Sequence, residues 1–151
     1  MPLIAHNNLP TYQKLKSEGR LVLDESRAAM QDIREMHIGL LNMMPDAALR
    51  GTERQFFRLV GESNQIAQFY MHPFTLPALE RSNETKAYIE EYYESFEDLK
   101  SQGLDALIIT GANVADPALE NNAFWEPLQE VMDWAWHNVT STMTACLATH
   151  A

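Results

Sequence analysis

The chain has a single cysteine, Cys146, and no second thiol to pair with it. An internal disulfide is excluded, and with neither a CxxC motif nor a Cys/His pair at zinc-finger spacing no metal site is expected. Such cysteine usage fits a reducing compartment, the cytoplasm. Cationic residues are scarce: 11 Lys and Arg face 21 Asp and Glu, a formal charge of −10. Counterion-release binding needs a basic surplus on one face, so neither nucleic acid nor anionic membrane is an expected partner. Long apolar runs are missing as well. The opening "MPLIAHNNLPTYQKLKSEGR" lacks a secretory core, and nowhere does the chain offer the roughly 20 apolar residues of a membrane span. No repeat or low-complexity stretch is visible.

What is present suits one compact domain: 46% of the 151 residues are apolar. Residues 1–35 are mixed and polar, with Pro2 and Pro10 discouraging early regular structure, a short helix expected around Tyr12–Glu18, and an apolar run at Leu21–Leu23. They read as an N-terminal arm on an α/β domain of residues 36–151. Within that domain His37–Asn42 reads as a buried strand, Met43–Ala47 as a turn and Thr52–Val60 as a helix. Phe56, Phe57 and Val60 share one side of this helix, Arg54 and Arg58 the other, and Gly61 is its expected stop. Ile66–Tyr70 is a second strand, ended by the prolines of "HPF" and "LPAL", and Glu84–Glu94 a charged helix with solvated acidic residues. "ALIITGAN" is the clearest parallel strand. Phe124–His137 is a helix facing inward through Trp125, Leu128, Val131, Met132 and Trp136, and Val139–Ala145 is a strand that runs into Cys146. This alternation predicts a doubly wound, mostly parallel sheet with ligands at the carboxyl ends of its strands.

A side chain at a sharp strand-to-helix turn is lifted off the sheet, provided its neighbours are small, and Ala145, Ala148 and Ala151 surround Cys146. There the dipole of a following helix would favour a thiolate, and the N–H of Leu147 would point where a tetrahedral oxyanion forms. The competing reading makes Cys146 one more buried small residue. His150 is either a base one turn on or a solvent and packing residue, and His6, His37, His72 and His137 are read as structural. Arg50, Arg54 and Arg58, spaced four apart with Glu62 one turn after Arg58, form either an anion-greeting stripe or a solvated face with weak ion pairs.

Several segments together, "ESRAAMQDIREMHIGLLNMMP", "TERQFFRLVG", "FEDLKSQGLDALIITGAN" and "FWEPLQEVMDWAWHNVTSTMTAC", carry a resemblance over nearly the whole chain. The sequence resembles the N-terminal half of the homoserine O-succinyltransferases, acyltransferases related in fold to class I glutamine amidotransferases. The resemblance implies a flavodoxin-like, amidotransferase-like fold truncated after the nucleophile elbow. It implies that Cys146 takes succinyl from succinyl-CoA and passes it to the homoserine hydroxyl in methionine biosynthesis, with no cofactor beyond the acyl donor. Gly111 and Ala112, with Leu147, would supply acyl-site backbone. Ala115 would set acyl length, a small residue marking succinyl users and glutamate acetyl users. Asp46, in the "DAALRG" loop, departs from the family's lysine pair, so no lysine role transfers there. The family's catalytic histidine and its glutamate lie in a later Gly-His-Pro-Glu-like segment, a context that His72-Pro73 lacks, so these 151 residues are expected to be an inactive fragment. A glutamine amidotransferase-like amidohydrolase and a non-catalytic flavodoxin-like domain are the alternatives. The oligomeric state stays open, a homodimer being one option.

Overall fold

The computed structural model describes residues 2–150. Its strands are β1 (Leu3–Ala5), β2 (Val22–Asp24), β3 (Glu35–Leu41), β4 (Gln68–Phe74), β5 (Ala106–Ile109) and β6 (Ser141–Thr144). They form one sheet in the order β2-β1-β4-β3-β5-β6, and every paired neighbour is parallel. The helices are α1 (Pro10–Ser17), α2 (Glu25–Ala28), α3 (Asp46–Ser63), α4 (Asn83–Tyr92), α5 (Phe96–Gln102) and α6 (Trp125–Asn138).

The pleat decides which helices cover which face. Ile38 and Leu40 of β3, with Leu3, Phe69, Met71 and Ile108, pack against Leu15 of α1 and Leu49 and Phe57 of α3. Leu41, Phe74, Leu107 and Ile109 point the other way, onto Leu99 of α5 and Leu128, Val131 and Ala135 of α6. Ala135 apart, each of these buried side chains contributes roughly 1.5–3 kcal/mol of transfer free energy. With helices on both faces the fold is the expected doubly wound, flavodoxin-like arrangement. Leu3 pairs with Val22 on one side and Phe69 on the other, so β1 and β2 extend this same sheet. Pro10 opens α1, where its missing N–H leaves no helical bond unmade.

Several elements differ from the sequence expectation. Helix α3 starts at Asp46, not Thr52, because Pro45 fixes the entry and Asp46 suits the first turn. Gly61 does not stop it; the residue is buried in the helix, and a Cβ there would sit 3.1 Å from Leu3 Cγ. Strand β4 continues through Pro73, paired with Leu40. β1, paired to β4 only through Leu3↔Phe69, ends at Ala5, so no neighbour on that side asks for the missing N–H. "FEDLKSQ", given no element in the sequence reading, is α5, capped by Ser95 and closed by Gly103 at φ 81°. In α4 the acidic residues face solvent as expected, but Glu94, just beyond the helix, turns in to bond His72 Nδ1 at 2.6 Å. In α6, Trp136 is 86% exposed while Ala135 is buried and Trp134 packs on the core. Leu128, Val131 and Ala135 set the inward stripe, and at 100° per residue Trp136 falls outside it. Among the described residues the last strand pairs with β5 alone, and its side chains are largely exposed.

Candidate active site

The topology itself marks a crevice. From β3 the chain passes through α3 on one face and returns on one side as β4; from β5 it passes through α6 on the opposite face and returns on the other side as β6. Loops that diverge in this way open a gap between the carboxyl ends of β3 and β5, the switch point where ligands bind in open α/β sheets. Met43–Pro45 and Gly111–Ala115 rim it, and Cys146 stands one strand away at the end of β6.

Buried polar groups hold the rim. Thr110, 1% exposed, accepts a bond from Met43 N (2.9 Å) and donates to Gly111 O (3.0 Å). Asn42, fully buried, donates to Leu49 O and Tyr93 Oη, and its backbone oxygen accepts from Thr75 Oγ1. The loop after β5 hangs on Asn122. Its Oδ1 accepts from Ala115 N and Asp116 N at 3.0 and 3.2 Å, and its Nδ2 reaches the carbonyls of Asp116, Ala118 and Leu119. None of these anchors stood out in the sequence, although an Asn beside "DPALEN" is the residue type that bonds neighbouring backbone.

Cys146 follows directly. Ala145 N donates to Ile109 O at 2.9 Å, the last rung of the β5–β6 ladder. The next residue, Cys146, has φ 57°, and among the described residues no other non-glycine has positive φ. Holding a Cβ-bearing residue in this left-handed region costs about 1–2 kcal/mol. Among the described residues Cys146 is exposed and not buried in packing. It leans on Gly111: a Cβ there would lie 3.1 Å from Cys146 Cβ, 3.2 Å from Sγ and 3.5 Å from Leu147 N. The sulfur, the Leu147 amide and the bare Cα of Gly111 therefore meet at one point. Gly111 does not have positive φ, so what the position needs is close approach and not special backbone.

Other expected features fall differently. Among the described residues the segment that Cys146 opens, Cys146–Thr149, is one 3-10 turn, with Leu147 N–H beside the thiol. Ala148 is buried beneath the turn as expected, and Ala151 lies outside the described residues. His150 is exposed, and among the described residues no histidine ring bonds to Cys146. Ala112 packs half-buried on the core. Ala115 lines a cavity of about 460 Å³ with Met43, Pro45, Arg81, Asn113 and Phe124. Asp46 opens α3 and is held by Ser82 N at 2.8 Å, a bond that keeps its carboxyl below the usual range. The arginine stripe is a solvated face: Arg50 pairs with Glu84 and lies over the Tyr88 ring, Arg54 and Arg58 are exposed, and Glu62 pairs with Arg20 instead of Arg58.

The fold and site define a class: doubly wound parallel α/β proteins with an exposed thiol on a strained turn beside the switch-point crevice. Comparison with known proteins narrows it. The model of the homoserine O-succinyltransferase family matches residues 2–151, and the chain belongs to that family. It is 66% identical, over its whole length, to homoserine O-succinyltransferases of Allochromatium vinosum and Thiobacillus denitrificans, covering 42% and 43% of those proteins. It is 65% identical to that of Methylobacter tundripaludum, covering 43%. The chain thus spans less than half the length of the curated relatives it matches.

Proposed function

We propose that this chain is the nucleophile-bearing part of a homoserine O-acyltransferase that moves succinyl from succinyl-CoA to the homoserine hydroxyl, a step of methionine biosynthesis. The observation that carries the reading is Cys146, exposed at φ 57° against Gly111. In the first half-reaction its thiolate attacks the thioester carbonyl, and the oxyanion is met by Leu147 N–H with Gly111 and Ala112 lining the approach. Collapse expels coenzyme A as thiolate and leaves a succinyl thioester on Cys146. In the second, the homoserine hydroxyl attacks that thioester, gives its proton to a base, and the thiolate is regenerated. The family resemblance assigns the base and its orienting carboxylate to a histidine and a glutamate of a later segment; the isolated 151 residues would then not turn over.

The succinyl tail is assigned to the cavity beside Ala115, where a small side chain leaves room. Among the described residues no helix is long and apolar enough to cross a membrane, and the cytoplasm is the proposed location. The test is mass spectrometry of the whole enzyme incubated with succinyl-CoA and no homoserine. One succinyl group on the peptide holding Cys146 is the expected product. Acylation elsewhere, or a Cys146 adduct formed from glutamine instead, would replace this reading with another.

A further inference from the structure

Three histidines read as structural converge away from Cys146. His6 follows β1, His37 lies in β3 and His72 in β4; the His6 and His72 ring centres are 5.0 Å apart, those of His37 and His72 5.1 Å. Glu94 completes the group from the segment after α4, 2.6 Å from His72 Nδ1.

One set of tautomers satisfies these contacts together. Glu94 can only accept if ionised, so His72 Nδ1 carries the proton, and His72 Nε2 accepts from His37 Nδ1 at 2.9 Å. His6 Nδ1 lies 3.3 Å from Ile4 O and 3.4 Å from Tyr12 Oη; in the tautomer that donates from Nδ1 to the carbonyl, Nε2 keeps its lone pair. That Nε2 is buried and has no partner among the described residues. A buried imidazole nitrogen with no partner among the described residues thus stands beside a second imidazole and a carboxylate.

We infer that His6, His72 and Glu94 bind a divalent transition metal of the zinc type. One donor atom from each of the three lies within 4.8 Å of the others. Ligands around tetrahedral zinc stand roughly 3.3 Å apart, so modest side-chain rotation closes the site. The metal takes the place of the proton shared by His72 and Glu94. As the ion enters, the His72 proton moves from Nδ1 to Nε2 and the His37 proton from Nδ1 to Nε2, so His72 binds through Nδ1 and donates from Nε2–H to His37 Nδ1, while His6 binds through Nε2 with Nδ1–H held by Ile4 O. Both rings keep the outer hydrogen bond that orients metal-bound histidine. The donor set of two imidazoles and one carboxylate suits zinc, cobalt or nickel and not magnesium. The ion would tie the end of β1 to β4 and to the chain leaving α4, three stretches far apart in sequence.

The test uses the Cys146→Ser protein, so that the thiol does not compete, after treatment with a chelator. Titration with Co²⁺ should show one equivalent bound, with the visible bands of four- or five-coordinate cobalt, displaced by Zn²⁺ and not by Mg²⁺. His6→Ala and Glu94→Gln should each weaken binding at least tenfold. Zn²⁺ should also raise the melting temperature of the parent but not of His6→Ala, a variant at a strand end that spares the buried His72. Absence of stoichiometric binding, or binding that both variants leave intact, would overturn the inference.

Discussion

Replacing Gly111 by alanine perturbs the thiol and little else. The backbone accepts the change, since Gly111 does not have positive φ, and the added methyl points at Cys146, 3.1 Å from its Cβ and 3.2 Å from Sγ. Carbon and sulfur come to rest nearer 3.5–4 Å, so one side must yield by roughly half an ångström. Overpacking of this kind costs about 1–3 kcal/mol, a melting shift of roughly 2–10 °C at this chain length. The effect on chemistry should be larger in proportion, because a 1 Å misplacement of a reacting group can cost about a hundredfold; half that displacement predicts a loss of roughly tenfold in acylation. The assay is single-turnover transfer of succinyl from succinyl-CoA to Cys146 in the whole enzyme, run beside thermal unfolding of the same preparation. A Gly111→Ala protein that unfolds earlier yet acylates at the parent rate would show that the contact is mere packing. Unchanged values of both would show that the thiol does not lean on this position at all.

Three further outcomes are expected. Cys146→Gly should be more stable than Cys146→Ala by about 1 kcal/mol, because glycine takes the left-handed backbone without strain; equal urea midpoints would mean the turn stores none. Ala115→Glu should move donor preference from succinyl-CoA toward acetyl-CoA by filling the cavity and repelling a carboxylate, and an unchanged ratio of rates would discard that role. Glu53, fully buried with Thr11 and Tyr88 donating to it, has its pKa pushed up by burial. The folded chain therefore holds this proton more tightly than the unfolded chain. Stability should fall as pH climbs from about 4.5 through the raised value, and Glu53→Gln should flatten that fall. Parallel urea titrations of parent and variant across this window measure it, and identical slopes would count against the buried charge.

The elements legible in the sequence were those whose partners are local. The apolar run Ala106–Ile109, set between Asp105 and Thr110, specifies a buried strand on its own, and Leu128 and Val131 fix a helix face by spacing alone. Cys146 was legible because small residues after a β-branched stretch mark a tight turn, a property of neighbours in the chain. Where the expectation failed, distant residues decide. Pro73 stays within a strand because β1 stops short of it, and Gly61 is buried because Leu3 presses on it. The place of β6 beside β5 follows from sheet order, which no window of the chain encodes. His6, His37 and His72 looked unrelated because their meeting depends on β1, β4 and β3 lying side by side.

Asn122 places an unusual burden on one atom. The rim that carries Ala115 is fastened by a single primary amide whose nitrogen serves three carbonyls. Hydrolysis of that amide to an acid would keep the oxygen facing Ala115 and Asp116 but turn the other end into an anion set against three lone-pair-bearing oxygens. Ageing of a stored sample by this one atom exchange would unseat the loop while leaving the sulfur chemically intact, a form of inactivation invisible to any thiol count.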